Sequence, residues 1–143
     1  MVRKITELEK VLIQKSKPPD RTSHFLNKAV KLGLENKYAE SIVCLDRVIR
    51  INPNIASAWH YKGTALNALG QFQEAIICLK KTIELHQNWC ETWNQKGIAY
   101  ANLKKYFEAI TCFEKAIKFD TDNQSAYTEN KARAIKEQEE NNV

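Results

Sequence analysis

The sequence holds little of what makes tight turns: 4 glycines and 3 prolines in 143 residues. Folds of many short strands need turn residues at short intervals, so this scarcity leans toward helices. No apolar run approaches the roughly 18 residues that a membrane-spanning helix requires. The first stretch, MVRKITELEK, is basic, but Glu7, Glu9 and Lys10 interrupt the apolar run that a secretory leader would carry. A cytoplasmic location is the expectation. The four cysteines include no C-x2-C pair, and no histidine sits beside them at ligand spacing, so no metal site is expected. His24, His60 and His86 are scattered, and Gly33, Gly63, Gly70 and Gly97 form no phosphate-binding loop. A nucleophile, a base and an orienting group do not converge anywhere in the pattern, so neither catalysis nor a cofactor is expected.

Charge is uneven. The net charge is +5, and residues 1–55 carry all of it, with 11 Lys/Arg against 6 Asp/Glu. Residues 56–143 balance at 11 against 11. A surplus of this size, spread over more than a third of the chain, is a weak signal for nucleic acid or a membrane surface.

What the chain does have is a repeat. Trp59 and Trp93 both open a Trp-x-x-Lys-Gly phrase, and the interval between them is that of a helical-hairpin repeat, about 34 residues. Tyr38, Phe72 and Tyr106 keep the same interval. So do Glu40, Glu74 and Glu108; Ile42, Ile76 and Ile110; Cys44, Cys78 and Cys112; and Lys28, Lys62 and Lys96. Three copies of one unit follow, at about 22–55, 56–89 and 90–123. Each reads as two helices. In the middle copy ASAWHYKGTALNAL is one apolar stripe, Gly70 ends it, and Phe72, Ile76, Leu79 and Ile83 form a second stripe. Asn52-Pro53 closes the first copy, since proline cannot continue a helix. Gly63, Gly97, Ala75 and Ala109 remove bulk where paired helices must approach closely. The cysteine column cannot be cross-linked: neighbouring helices pack about 8–10 Å apart, and disulfide Cα atoms need about 7 Å or less. These are read as small buried thiols, with Cys90 alone near a loop.

The period and its columns resemble the tetratricopeptide repeat, whose signature is W-x2-L-G-x2-Y, then A-x3-F, then P. The middle copy offers Trp59, Gly63, Leu66, Ala75 and Leu79, and the third offers Trp93, Gly97, Tyr100, Ala109 and Phe113. The first offers Phe25, Ala29, Leu32, Ser41 and Leu45, and it alone keeps the proline, Pro53; Gln87 and Thr121 replace it later. Lys28, Lys62 and Lys96 stand where leucine is usual, which suggests stems lying on apolar surface with the charge in water. The resemblance implies an all-α fold: a right-handed superhelix of three helical hairpins. Residues 20–143 would form that domain, closed by a polar-faced helix at about 124–140. Residues 1–19 read as an opening helix over 2–15, with Val2, Ile5, Leu8 and Leu12 on one stripe, stopped by Pro18-Pro19. That helix either caps the first repeat or mediates self-association as a homodimer. Asp20 or Thr22 can cap the helix that follows.

Function, on this reading, lies on a surface. The resemblance implies a concave groove lined by the first helix of each hairpin. It would present Ser57, His60, Thr64, Asn67, Asn94, Ile98 and Asn102, with Leu26 and Val30 as an apolar end. Asparagine donates and accepts at once, so such a row suits an extended peptide backbone. The family's carboxylate-clamp subclass, which holds acidic chaperone tails, needs Lys, Asn and Arg where this chain has Leu26, Val30, Tyr61, Glu91 and Gln95. A clamp partner is therefore not expected. The expectation is non-catalytic binding of a protein or peptide, as an adaptor, scaffold or assembly factor. The alternatives are a small chaperone-like protein that dimerises through its first helix, and an RNA-associated helical-repeat protein. RNA binding is disfavoured by the few Lys and Arg on the groove.

Overall fold

The computed structural model describes residues 4, 6–16, 20–122 and 124–142. Among them are eight helices and no strand: α1 Glu7–Ser16, α2 Arg21–Leu34, α3 Tyr38–Ile51, α4 Ala56–Ala68, α5 Phe72–Leu85, α6 Cys90–Asn102, α7 Tyr106–Phe119 and α8 Gln124–Asn141. Helices α2/α3, α4/α5 and α6/α7 are antiparallel hairpins. Each hairpin packs on the next, and α8 closes the array against α7 and α6. The result is an α-solenoid in which every unit touches only its neighbours.

The turn inside each hairpin shows why the period is strict. Asn36, Gly70 and Lys104 occupy equivalent places in the three repeats and share a left-handed backbone, with φ of 61°, 76° and 60°. After each, the amide of Lys37, Gln71 or Lys105 donates to the carbonyl five residues back, on Leu32, Leu66 or Tyr100, at 2.8, 2.9 and 2.9 Å. This is the Schellman closure of a helix C-terminus. Only Gly70 adopts that conformation without steric cost; Asn36 tolerates it and Lys104 bears it.

The turn between hairpins depends on tryptophan. The Trp59 indole N–H donates to the Pro53 carbonyl at 2.8 Å. The Trp93 indole donates to Gln87, the equivalent residue, at 2.9 Å. The bond uses the backbone oxygen, so glutamine can stand in proline's place. At the start of α2, Asp20 is the cap: it accepts from the Thr22 amide at 3.1 Å and from the Ser23 hydroxyl at 2.7 Å. These bonds, that from Ser23 foremost, hold its carboxyl below the ordinary range.

Packing explains the small-residue columns. A Cβ on Gly63 would sit 2.7 Å from Leu79, and one on Gly97 would sit 2.6 Å from the Phe113 ring. Leu45, Leu79 and Phe113 fill equivalent places at the centre of each hairpin and are all buried. The first hairpin solves the problem differently. Ala29 replaces glycine there, and the buried Ser41 hydroxyl donates to the Ala29 carbonyl at 2.8 Å. Cys44, Cys78 and Cys112 are buried and free. Of the lysine column, Lys28 is exposed, whereas Lys62 and Lys96 are half-buried.

Among the described residues α1 makes no packing contact with the repeats. Leu8, Val11 and Leu12 are 70%, 48% and 57% exposed. The capping role is therefore not seen in these residues, and the helix begins at Glu7. Val2, Ile5 and the Pro18-Pro19 break of the expected opening segment lie outside the described residues.

Candidate interaction groove

Helices α2, α4, α6 and α8 lie side by side along one face of the array, contacting each other in sequence. Side chains on that face reach either solvent or the next helix, one repeat away. The structure divides the expected polar row between these two fates.

His60 belongs to the second group. It is 5% exposed. Its ring stacks on Trp89, with centroids 4.2 Å apart and planes 23° from parallel. Its Nδ1 lies 2.9 Å from the Thr92 hydroxyl. Burial pushes its pKa down to about 4, so the ring is neutral near pH 7. Asn94 is also buried, and its Oδ1 accepts from Asn130 of α8 at 2.9 Å. Asn67 donates to Gln95 twice, to the backbone carbonyl at 2.9 Å and to Oε1 at 3.1 Å. Gln95 in turn donates to Glu91 at 3.0 Å, and the other Glu91 oxygen accepts from the Tyr127 hydroxyl at 3.3 Å. These bonds form a polar ladder that joins α4 to α6 and α6 to α8. The sequence reading placed His60, Asn67 and Asn94 as free groups in a shallow trough. The structure instead turns them toward the neighbouring helix, because helices one repeat apart are close enough for direct bonds.

Thr64 and Asn102 bond within their own helices, to the carbonyls of His60 at 3.0 Å and Ile98 at 2.8 Å. Ser57 and Ile98 are half-buried, and Asn102 is exposed. Ile98 and Asn102 line a cavity of about 170 Å³ with Asn130, Arg133 and Glu137. Leu26, half-buried, packs against the core of the first hairpin.

Val30 opens onto something larger. A groove of about 270 Å³ runs between α2, α3 and α4. Its walls are Val30, Leu34, Tyr38, Tyr61 and Thr64, over a floor of Ala29 and Ala65. Most of this lining is apolar, and Leu34 stands 82% exposed beside it. Sequence reasoning named Val30 and missed Leu34, Tyr38 and the role of Tyr61. The spacing of Val30 and Leu34, one helical turn apart, was the available signal. Of the clamp positions, Glu91 and Gln95 are bound up in the polar ladder, while Val30 and Tyr61 line the apolar groove.

Two of the thiols, Cys78 and Cys112, are poor nucleophiles. Burial pushes Cys112 up to about 11 and raises Cys78, despite nearby lysines. Among the described residues no group of three or more His, Cys, Asp or Glu side chains is placed to hold a metal ion. Among them, too, no helix is long and apolar enough to cross a membrane.

Comparison with known proteins fits this geometry. Two family models, both described as tetratricopeptide repeat, match residues 90–123 and 44–77. The second match starts within α3 and ends within α5, as a cyclic repeat allows. No curated protein matches the chain in sequence. Among solved structures, the Sgt2 repeat domain of Aspergillus fumigatus superposes with a TM-score of 0.79 at 17% identity, covering 87% of this chain and 83% of that one. The first repeat domain of human RPAP3 gives 0.78 at 20% identity, with 86% and 98% covered. The TPR2B domain of yeast Sti1, solved in complex with pHsp70, gives 0.77 at 20% identity, with 82% and 98% covered. The shared fold is the right-handed α-solenoid.

Proposed function

The chain is a tetratricopeptide-repeat protein, and from that premise we propose that it is a non-catalytic protein-interaction module. It acts as an adaptor or assembly factor that holds a segment of another protein along the face of α2, α4 and α6. The observation that carries this reading is the apolar groove of about 270 Å³ bounded by Val30, Leu34, Tyr38 and Tyr61. It can bury one apolar side chain of a partner, which contributes about 1.5–3 kcal/mol. The polar ladder beyond it ties α4 to α6 and α6 to α8, so little order has to be created along that part of the face on binding. The half-buried Thr64 and the exposed Asn102 supply hydrogen bonds to a partner's backbone. Leu26, Val30, Tyr61, Glu91 and Gln95 favour an apolar anchor over the acidic tail of a chaperone. Four free cysteines fit a reducing, cytoplasmic setting.

The test is capture from a native lysate with and without nuclease, using the wild type and Val30→Glu. A discrete protein that survives nuclease, and is lost to Val30→Glu at unchanged melting temperature, supports the groove. Loss of everything on nuclease treatment moves the function to nucleic acid. The exposed Leu8, Val11 and Leu12 of α1 favour a second reading, a homodimer joined through that helix. Mass in solution with and without residues 1–19 decides it.

A further inference from the structure

The seams between hairpins follow a charge rule that breaks once. At the first seam, the Lys62 ammonium of α4 pairs with Asp46 of α3 at 2.7 Å. At the last, Lys131 of α8 pairs with Glu114 of α7 at 3.2 Å. Positions 46, 80 and 114 are equivalent, each one repeat from the next, and they read Asp, Lys, Glu. The middle seam therefore sets Lys96 of α6 beside Lys80 of α5, a cation where the other two seams hold a carboxylate. A third cation joins them. Lys96 Nζ lies 5.0 Å from the Trp93 ring centroid and Lys115 Nζ lies 4.7 Å from it. Both amines thus lean on one indole ring, which itself is buried. Among the described residues none of the three amines has an ion pair or a hydrogen bond. Glu108, the carboxylate that acts on the nearby Cys112 thiol, pairs with none of them. Burial foremost, with the like charges of Lys80 and Lys115 added to it, holds the Lys96 ammonium below its ordinary range.

We propose that Lys80, Lys96 and Lys115 form an anion-binding site on the middle seam, and that its occupant is a carboxylate side chain from an acidic segment of a partner protein. The neighbouring seams argue for a carboxylate: the first places one against the equivalent amine, Lys62, and the last places one against Lys131, one residue past the equivalent position. Three unneutralised cations on an apolar wall attract such a group more strongly than dispersed surface lysines do. A nucleic acid fits less well. It needs several phosphate contacts along a basic track, and residues 56–143 carry no net charge. The buried Trp93 gives no open ring for base stacking. At about 100° per residue, Lys96 lies on roughly the opposite side of α6 from Asn94 and Ile98. The site is thus separate from the groove proposed above, and either can fail alone.

The experiment uses the full chain and a fluorescein-labelled hexaglutamate peptide, with binding read by anisotropy at low and at physiological salt. Lys80→Asp restores the acid of the other seams, so the introduced carboxylate would pair with Lys96. It should weaken hexaglutamate binding roughly tenfold or more, with a melting temperature no lower than wild type. Lys31→Asp on α2, with the same change in charge, should weaken it less than about twofold. Equal binding by wild type and Lys80→Asp, or no binding by wild type, overturns the proposal. So does a single-stranded oligothymidylate that binds more tightly than hexaglutamate and is the probe lost to Lys80→Asp.

Discussion

Acid should weaken this fold through one buried imidazole. His60 is folded neutral, with its pKa pushed down from 6.5 to about 4 by burial between α4 and α6. The unfolded chain exposes the same ring near its ordinary value. Between those two values the unfolded state binds one proton more than the folded state, so stability falls as pH falls. The slope is about 1.4 kcal/mol per pH unit. Stability is full above about pH 6.5, about 2 kcal/mol lower at pH 5, and about 3 kcal/mol lower by pH 4. With a urea slope of about 2 kcal/mol/M, the pH 5 loss moves the unfolding midpoint down by about 1 M. The assay is urea unfolding of wild type and His60→Phe between pH 7.5 and 4.5. Phenylalanine keeps the stack on Trp89 and cannot titrate; it leaves the Thr92 hydroxyl without its partner, which costs about 1 kcal/mol at every pH. Carboxylates titrate alike in both proteins and cancel in the difference. The difference between the two proteins should therefore shrink, and then reverse, as pH falls. Parallel pH profiles would refute the assignment of a neutral, buried His60.

Two further outcomes follow from the packing. Gly97→Ala drives a Cβ into the Phe113 ring, and after the helix-propensity gain of alanine it should cost about 1–2 kcal/mol, seen as a lower melting temperature. Adding Phe113→Leu should recover part of that loss, because the first hairpin already pairs Ala29 with Leu45. Lys104→Gly relieves the left-handed backbone at φ 60° and should raise stability by about 0.5–1 kcal/mol, measured by urea unfolding. Asn36→Gly should do less, since asparagine accepts that conformation more readily.

The hairpins were legible because their packing rules act within one repeat. Gly63 and Gly97 were read as points of close helix approach, and the structure places Leu79 and Phe113 there. The left-handed turn was read only at Gly70. Asn36 and Lys104 share it, but neither residue type announces it. The polar row was legible as a row and not as a ladder. Whether Asn67 meets solvent or Gln95 depends on how one hairpin is rotated against the next, and no periodicity within a repeat encodes that angle. His60 shows the same limit, since its stacking partner Trp89 and its neighbour Thr92 both lie beyond its own hairpin. The middle-seam lysines stood in the sequence as one substitution, Lys80 where its counterparts are Asp46 and Glu114. That break gained meaning only when Lys96 and Lys115 were seen against the same ring.

The most direct measurement is the footprint of the captured partner, mapped by amide and side-chain chemical shifts in the full chain. A segment held in the groove should move the signals of Val30, Leu34, Tyr61 and Thr64, and leave the outer residues Val43 and Ile77 unchanged. A footprint confined to the exposed faces of α3, α5 and α7, or to α1, would contradict the groove as the place where this protein binds.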